Sequence, residues 1–177
     1  MGLRPNCHHG WFHQSREPAF LSDFVAAWAT LTHMADSVFS KIIRGEIPCH
    51  KLYEDDRVLA FLDVGPLSEG HALVIPKEPA VTLDELSDES AAAIGRVLPR
   101  LCRAIKRATG VAAFNVLENN LPLAHQAVPH VHFHIIPKPD EQGGLGVRWN
   151  AGKLEPARGA SLAERIRADL GREAGNA

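Results

Sequence analysis

The 177-residue sequence is short of cysteine, of charge of one sign and of long apolar runs. Its three cysteines, Cys7, Cys49 and Cys102, form no CxxC pair, and the odd count fits reduced thiols better than a disulfide framework. No apolar stretch approaches the roughly 18 residues that a membrane span requires. Nineteen basic residues face 21 acidic ones, for a formal net charge of -2, so there is no strong basic field to hold a nucleic-acid polymer. No internal repeat is visible, and no linker is long enough to separate a pair of domains. What remains is 45% apolar residues in a chain long enough to bury a core.

Residues 1–33 stand apart. They show no short period, and Arg4 and Arg16 are balanced by Glu17 and Asp23. An import leader should be Arg-rich and acid-poor, so this segment reads instead as an amino-terminal extension, or as the product of a start placed upstream of Met34. Within it, residues 20–31 could form one helical stretch. Residues 34–177 are expected to form one domain, including a carboxyl-terminal loop and helix. The expected location is cytoplasmic, with the nucleus as a second site; a mitochondrial destination stays open because of residues 1–33.

The patterned region opens at "DSVFSKIIRG", where Asp36 or Ser37 can cap a short helix that stops at Gly45. "HKLYEDDRVLAFLD" reads as a hairpin turning at Asp55–Asp56, and "GHALVIPK" as a third strand. From Ser87 to Gly110, Ile94, Val97, Leu98, Leu101, Cys102 and Ile105 recur at helical spacing, while Pro99 should kink or divide the helix. "AFNVLEN" and "HVHFHII" are two more strands, and an amphipathic helix surrounds Leu162–Leu170. Five strands and two main helices in this order make an antiparallel α+β domain.

"HVHFHII" places His130, His132 and His134 on one face of a strand, roughly 6.6 Å apart, with Val131, Phe133 and Ile135 on the other. Three chemistries compete. Chance clustering fits strict alternation poorly. An HxH pair can hold zinc, but no HExxH, CxxC or acidic cluster lies beside this strand. A histidine nucleophile needs one neutral ring nitrogen and donors for phosphoryl oxygens. Asn119, Asn120 and Gln126 lead into the strand and could supply those donors, although asparagine is also common in turns.

The strand resembles the histidine triad signature of the HIT nucleotide-binding hydrolases. "SVFSKIIRGEIP", "EDDRVLAFLDVGPLSEGHALVIPK", "NVLENN", "AHQAVPHVHFHIIPKP" and "GLGVRW" extend the resemblance over residues 36–149, toward the Hint branch and its fungal-type adenosine 5′-monophosphoramidases. The resemblance implies a HIT-like fold and a homodimer whose two sheets join. It also implies hydrolysis of the P–N bond of AMP-amide or AMP-lysine substrates through a nucleotidyl-histidine. On it, His132 attacks phosphorus, His134 and His71 donate to phosphate oxygens, and His130 supports the geometry. Asn119, Gln126 and the Val128 backbone hold the phosphate, and Asp63 takes the ribose hydroxyls. Val38, Phe39, Ile42 and Ile47, together with Phe61, Leu62, Val64 and Leu73, wall the purine. The partner so implied is a purine mononucleotide or its phosphoramidate, with no nucleic-acid polymer, no membrane and no cofactor.

The sequence departs from that pattern in two places. Ser37, Ser40 and Pro79 stand where relatives carry a CxxC and a histidine of a zinc site, so no metal is expected. Leu121 and His125 replace glycines, and Ala127 replaces a serine, in the loop before the histidines. A dinucleoside polyphosphate hydrolase and a low-turnover nucleotide- or partner-binding protein are the alternatives.

Overall fold

The computed structural model describes residues 36–147 and 150–174; the helical stretch read at 20–31 lies outside them. The described chain forms two compact units, one running to Leu145 and the other beginning at Gly146.

The first unit begins with helix α1, Val38–Ile43. Of its two candidate caps, Ser37 is the one used: its Oγ accepts from the Ser40 backbone N–H at 3.0 Å. Gly45, at φ 77°, ends the turn in the left-handed region that glycine enters without a Cβ clash. Strands β1 (Lys51–Glu54) and β2 (Val58–Leu62) form the hairpin, followed by β3 (Ala72–Pro76). Helix α2 spans Asp88–Thr109, then come β4 (Phe114–Glu118) and β5 (Phe133–Pro137). The five strands lie in the order β1-β2-β3-β5-β4, every neighbouring pair antiparallel.

Strand alternation sorts the side chains onto two faces. On one face Val58, Ala60, Ala72, Val74, Val131 and Ile135 meet Ile94, Val97, Leu101 and Ile105 of α2. Burying each large aliphatic side chain there contributes about 1.5–3 kcal/mol. On the other face Leu59, Phe61, Leu73 and Ile75 pack with Phe39 of α1. α2 is a single helix through Pro99, so the chain is not divided there. Ser87 caps it and Gly110 closes it in the left-handed conformation.

The histidine segment differs from the expected continuous strand. β5 starts only at Phe133, so His134 is the one triad histidine within the ladder. Upstream, Pro129 has no N–H to give, the His130 N–H turns back to the Val128 carbonyl at 2.8 Å, and the Val131 N–H bonds Ala80 O, beyond the end of β3. The alternation of faces survives this change. Val131 and Ile135 are fully buried against the α2 side, and the histidines turn the other way.

The second unit contains helix α3, Pro156–Ala174, longer than the Leu162–Leu170 core of its pattern.

Candidate functional site

His71 is placed by a tight approach of the chain. Gly70, at φ 82°, precedes it, and a Cβ on Gly70 would lie 2.7 Å from Thr109 Cγ2, so glycine is required twice over. The turn between β2 and β3 is closed by Asp63, whose Oδ1 accepts from the Gly65 N–H at 2.8 Å and whose N–H bonds the His71 carbonyl at 2.9 Å. His134 reaches the same place from β5, where it lies between Leu73 of β3 and Leu117 of β4.

Main-chain partners fix where the protons sit. The Leu67 N–H points at His71 Nδ1 at 3.1 Å, and a backbone N–H can only donate. Neutral His71 therefore carries its proton on Nε2, which donates to His134 Nδ1 at 2.9 Å. Neutral His134 is left with a proton on Nε2. His132 Nδ1 lies 2.7 Å from the His130 carbonyl, which can only accept. The proton is thus on Nδ1, and the lone pair of His132 is on Nε2. His130 Nε2 donates to the Pro76 carbonyl at 2.9 Å.

Burial keeps these rings neutral. It pushes the His130, His132 and His71 imidazoles below the ordinary histidine range; Asp63 opposes the shift at His71. His134 falls to about 4, from burial first and then from His132 and His71. Phe39 stands edge-on to His132 and His130, with ring centroids 5.2 and 6.0 Å away, and His132 and His134 are 4.9 Å apart.

A cavity of about 250 Å³ opens beside the His71 and His134 rings, lined by Asp63, His71, Asn119 and His134 with Leu67, Leu117 and others. Four of the sequence-derived site residues thus converge. Phe39, Phe61 and Leu73 form an apolar cluster, with Ile42 and Val128 packed against it. Ile47 and Leu62 are half-buried. Val38 is 42% and Val64 92% exposed, so Val64 stands clear of that wall: it occupies the turn after Asp63. Gln126 also has a different setting. It is buried, its Nε2 donates to the Val81 carbonyl at 2.6 Å, and its Oε1 accepts from the Leu121 N–H at 2.8 Å, so its amide braces the loop.

Gly65, Leu67, Leu117, Ile136 and Leu145 are the lining residues that the sequence pattern passed over. Leu117 and Ile136 could be found by counting two residues from Asn119 and His134 on their strands. Leu67 acts through its backbone N–H and leaves no side-chain signal.

One metal-binding alternative exists among the described residues: ligand atoms of Asp63, His71 and His134 lie within 4.8 Å of one another. A metal there needs a lone pair on His71 Nε2, and the Leu67 N–H forbids one while it occupies Nδ1. The positions where relatives place zinc ligands are committed elsewhere. The Ser37 and Ser40 hydroxyls are 3.0 Å apart, that of Ser37 caps α1, and His130 Nε2 is spent on Pro76. Two hydroxyls and a proline do not make a zinc site.

Comparison with known proteins matches residues 44–141 to the HIT domain. The chain belongs to the HIT family. A HIT relative from Schizosaccharomyces pombe, adenosine 5′-monophosphoramidase hnt1, is 54% identical over 129 residues, or 73% of this chain and 94% of the relative. Adenosine 5′-monophosphoramidase HNT1 of Saccharomyces cerevisiae is 46% identical, covering 76% of this chain and 81% of its own. Among solved structures, a hypothetical protein from Leishmania major superposes with a TM-score of 0.74 at 48% identity, over 77% of this chain and 97% of that one.

The HIT fold carries one departure that matters for the site. Leu121, in the loop before the histidines, adopts φ 69° and ψ 160°, and His125 adopts φ 69° and ψ 25°. Both are positions where the family pattern has glycine. The Leu121 geometry is in the region that is essentially closed to side chains, and it is maintained by its N–H to Gln126 and its carbonyl to the Ala124 and Gln126 N–H groups.

Proposed function

We infer that this HIT protein is an adenosine phosphoramidase that cleaves the P–N bond of AMP-amide or AMP-lysine substrates through His132. The observation that carries the reading is the 2.7 Å contact from His132 Nδ1 to the His130 carbonyl, because it leaves Nε2 as a free, neutral nucleophile. The names of the fungal relatives support the same activity.

In the proposed reaction, the Nε2 lone pair attacks the α-phosphorus and the P–N bond of the substrate breaks. The leaving nitrogen takes up a proton and departs as an amine. Water then attacks phosphorus, the bond to His132 breaks, and AMP leaves; the proton lost by that water balances the one taken up, so one water is consumed per turnover. The Nε2–H of His134 and the amide of Asn119 border the cavity where the phosphoryl oxygens would gather charge. Asp63, beside them, is the acceptor for ribose hydroxyls. The chemistry draws on no cofactor.

The working form is proposed to be a homodimer. β4 lies at the edge of the sheet with Phe114 and Val116 exposed on it, and an open strand edge of this kind calls for a partner. No described helix is long and apolar enough to cross a membrane.

The test is hydrolysis of a fluorogenic AMP-amide by wild type and His132→Ala, beside a diadenosine polyphosphate. Loss of about 10³-fold or more in kcat/KM is expected in the variant. Equal, slow release by both proteins would end the enzyme reading and leave a nucleotide-binding protein; faster cleavage of the diadenosine substrate would favour the polyphosphate hydrolase.

A further inference from the structure

Asn119 borders the cavity, yet the residues on either side of it are held from behind. On β4, Glu118 pairs with Phe133, whose side chain packs into the core on the α2 side of the sheet, opposite His134. Glu118 Oε2 accepts from Asn120 Nδ2 at 2.5 Å. Asn120 Oδ1 in turn accepts from the backbone N–H of Leu83 at 2.7 Å. Leu83 opens the short 3₁₀ turn, Leu83–Glu85, that precedes α2. The orientation of the Asn120 amide is fixed from both ends, since the carboxylate needs a donor and the N–H needs an acceptor.

We propose that Glu118 and Asn120 are a positioning pair that aims Asn119 at the substrate phosphate; this rests on the phosphate-binding reading given above. Three residues at and just past the end of β4 then divide the labour: Asn120 grips the turn before α2, Glu118 holds the Asn120 amide, and Asn119 between them borders the cavity. The loop's far end is tied to the same segment by Gln126 on the Val81 carbonyl. Stability alone is a poor account of Glu118. Its Oε1 is buried without a hydrogen-bond partner among the described residues, and burial raises its carboxyl above the usual range. An apolar side chain would fill that space at lower cost. What only a hydrogen-bond acceptor can do there is hold the Asn120 amide.

The pair acts through Asn119, so the two sites should not be independent. The experiment is a double-mutant cycle of Asn119→Ala and Asn120→Ala, read both as kcat/KM on an AMP-amide and as Kd for AMP by calorimetry. Each single variant is expected to lose about 10-fold in kcat/KM, and the double variant to lose little more than Asn119→Ala alone. Glu118→Gln, which keeps an acceptor for Asn120, should retain wild-type values, whereas Glu118→Ala should match Asn120→Ala. The proposal is overturned if the double variant multiplies the losses to about 100-fold, if Asn120→Ala is indistinguishable from wild type, or if Glu118→Gln is as damaged as Glu118→Ala. Should His132→Ala and wild type prove equally inert, the phosphoramidase reading falls, and the AMP Kd cycle still decides whether the pair aims Asn119.

Discussion

His71 Nε2 lies 2.9 Å from His134 Nδ1, and the far nitrogen of His71 faces the Leu67 N–H. Two imidazoles, one just ahead of β3 and one on β5, therefore share a single hydrogen bond whose direction is set by the main chain. The proton runs from His71 to His134, and His134 presents its own proton to the cavity. This arrangement and the matching one at His132 need neutral rings, and burial supplies them.

Acid should act on rate and on stability by the same route. All four imidazoles of the site titrate below the ordinary value of 6.5 in the folded chain, His134 at about 4. As pH falls below 6.5 the unfolded state takes up protons that the native state refuses, so stability declines between pH 6.5 and about 4. The acid limb of kcat/KM should likewise lie below 6.5, because the nucleophile stays unprotonated. Urea midpoints and a pH–rate profile check this; a midpoint that is flat down to pH 4.5, or an acid limb at about pH 7, would contradict it.

His71→Ala should damage both fold and chemistry. The Leu67 N–H loses its acceptor, at about 1–3 kcal/mol if it stays unpaired. His134 loses the donor that fixes its tautomer, with an expected fall of about 10²-fold in kcat. His71 also holds the His134 titration down, so that titration should move up in the variant. An NMR titration of His134 that is unmoved by the substitution would count against the proton assignment.

Leu121→Gly should stabilise the protein. At φ 69° and ψ 160° a leucine costs about 1–3 kcal/mol, while glycine costs about 0.5–1 kcal/mol in unfolded-state entropy. The balance is a gain of about 1 kcal/mol, or roughly 2–4 °C in Tm. A lower Tm in the variant would show that the leucine side chain contributes more than its backbone geometry costs.

Much of this architecture is legible in the residues themselves. Period-two alternation in "HVHFHII" separates Val131 and Ile135 from the histidines, and the sheet keeps that separation. The 3.6-residue recurrence of Ile94, Val97, Leu101 and Ile105 defines α2, and one proline does not outweigh that buried stripe. The start of β5 is not legible, because it depends on Val131 bonding Ala80, a partner 51 positions away in the chain. The same holds for Gln126: a buried amide looks like a phosphate donor until Val81 and Leu121 are found at its two ends. Val64 is apolar but sits on a turn, where patterns of hydrophobicity carry little information about facing.

The partners that assign the imidazole protons are Leu67 N–H, His130 C=O and Pro76 C=O, all of them peptide groups. Peptide groups are common to every amino acid, so sequence drift at positions 67, 76 and 130 cannot delete them, proline at 67 excepted. The protonation pattern of the site is thus inherited with the path of the backbone, and the neighbouring side chains are free to change around it.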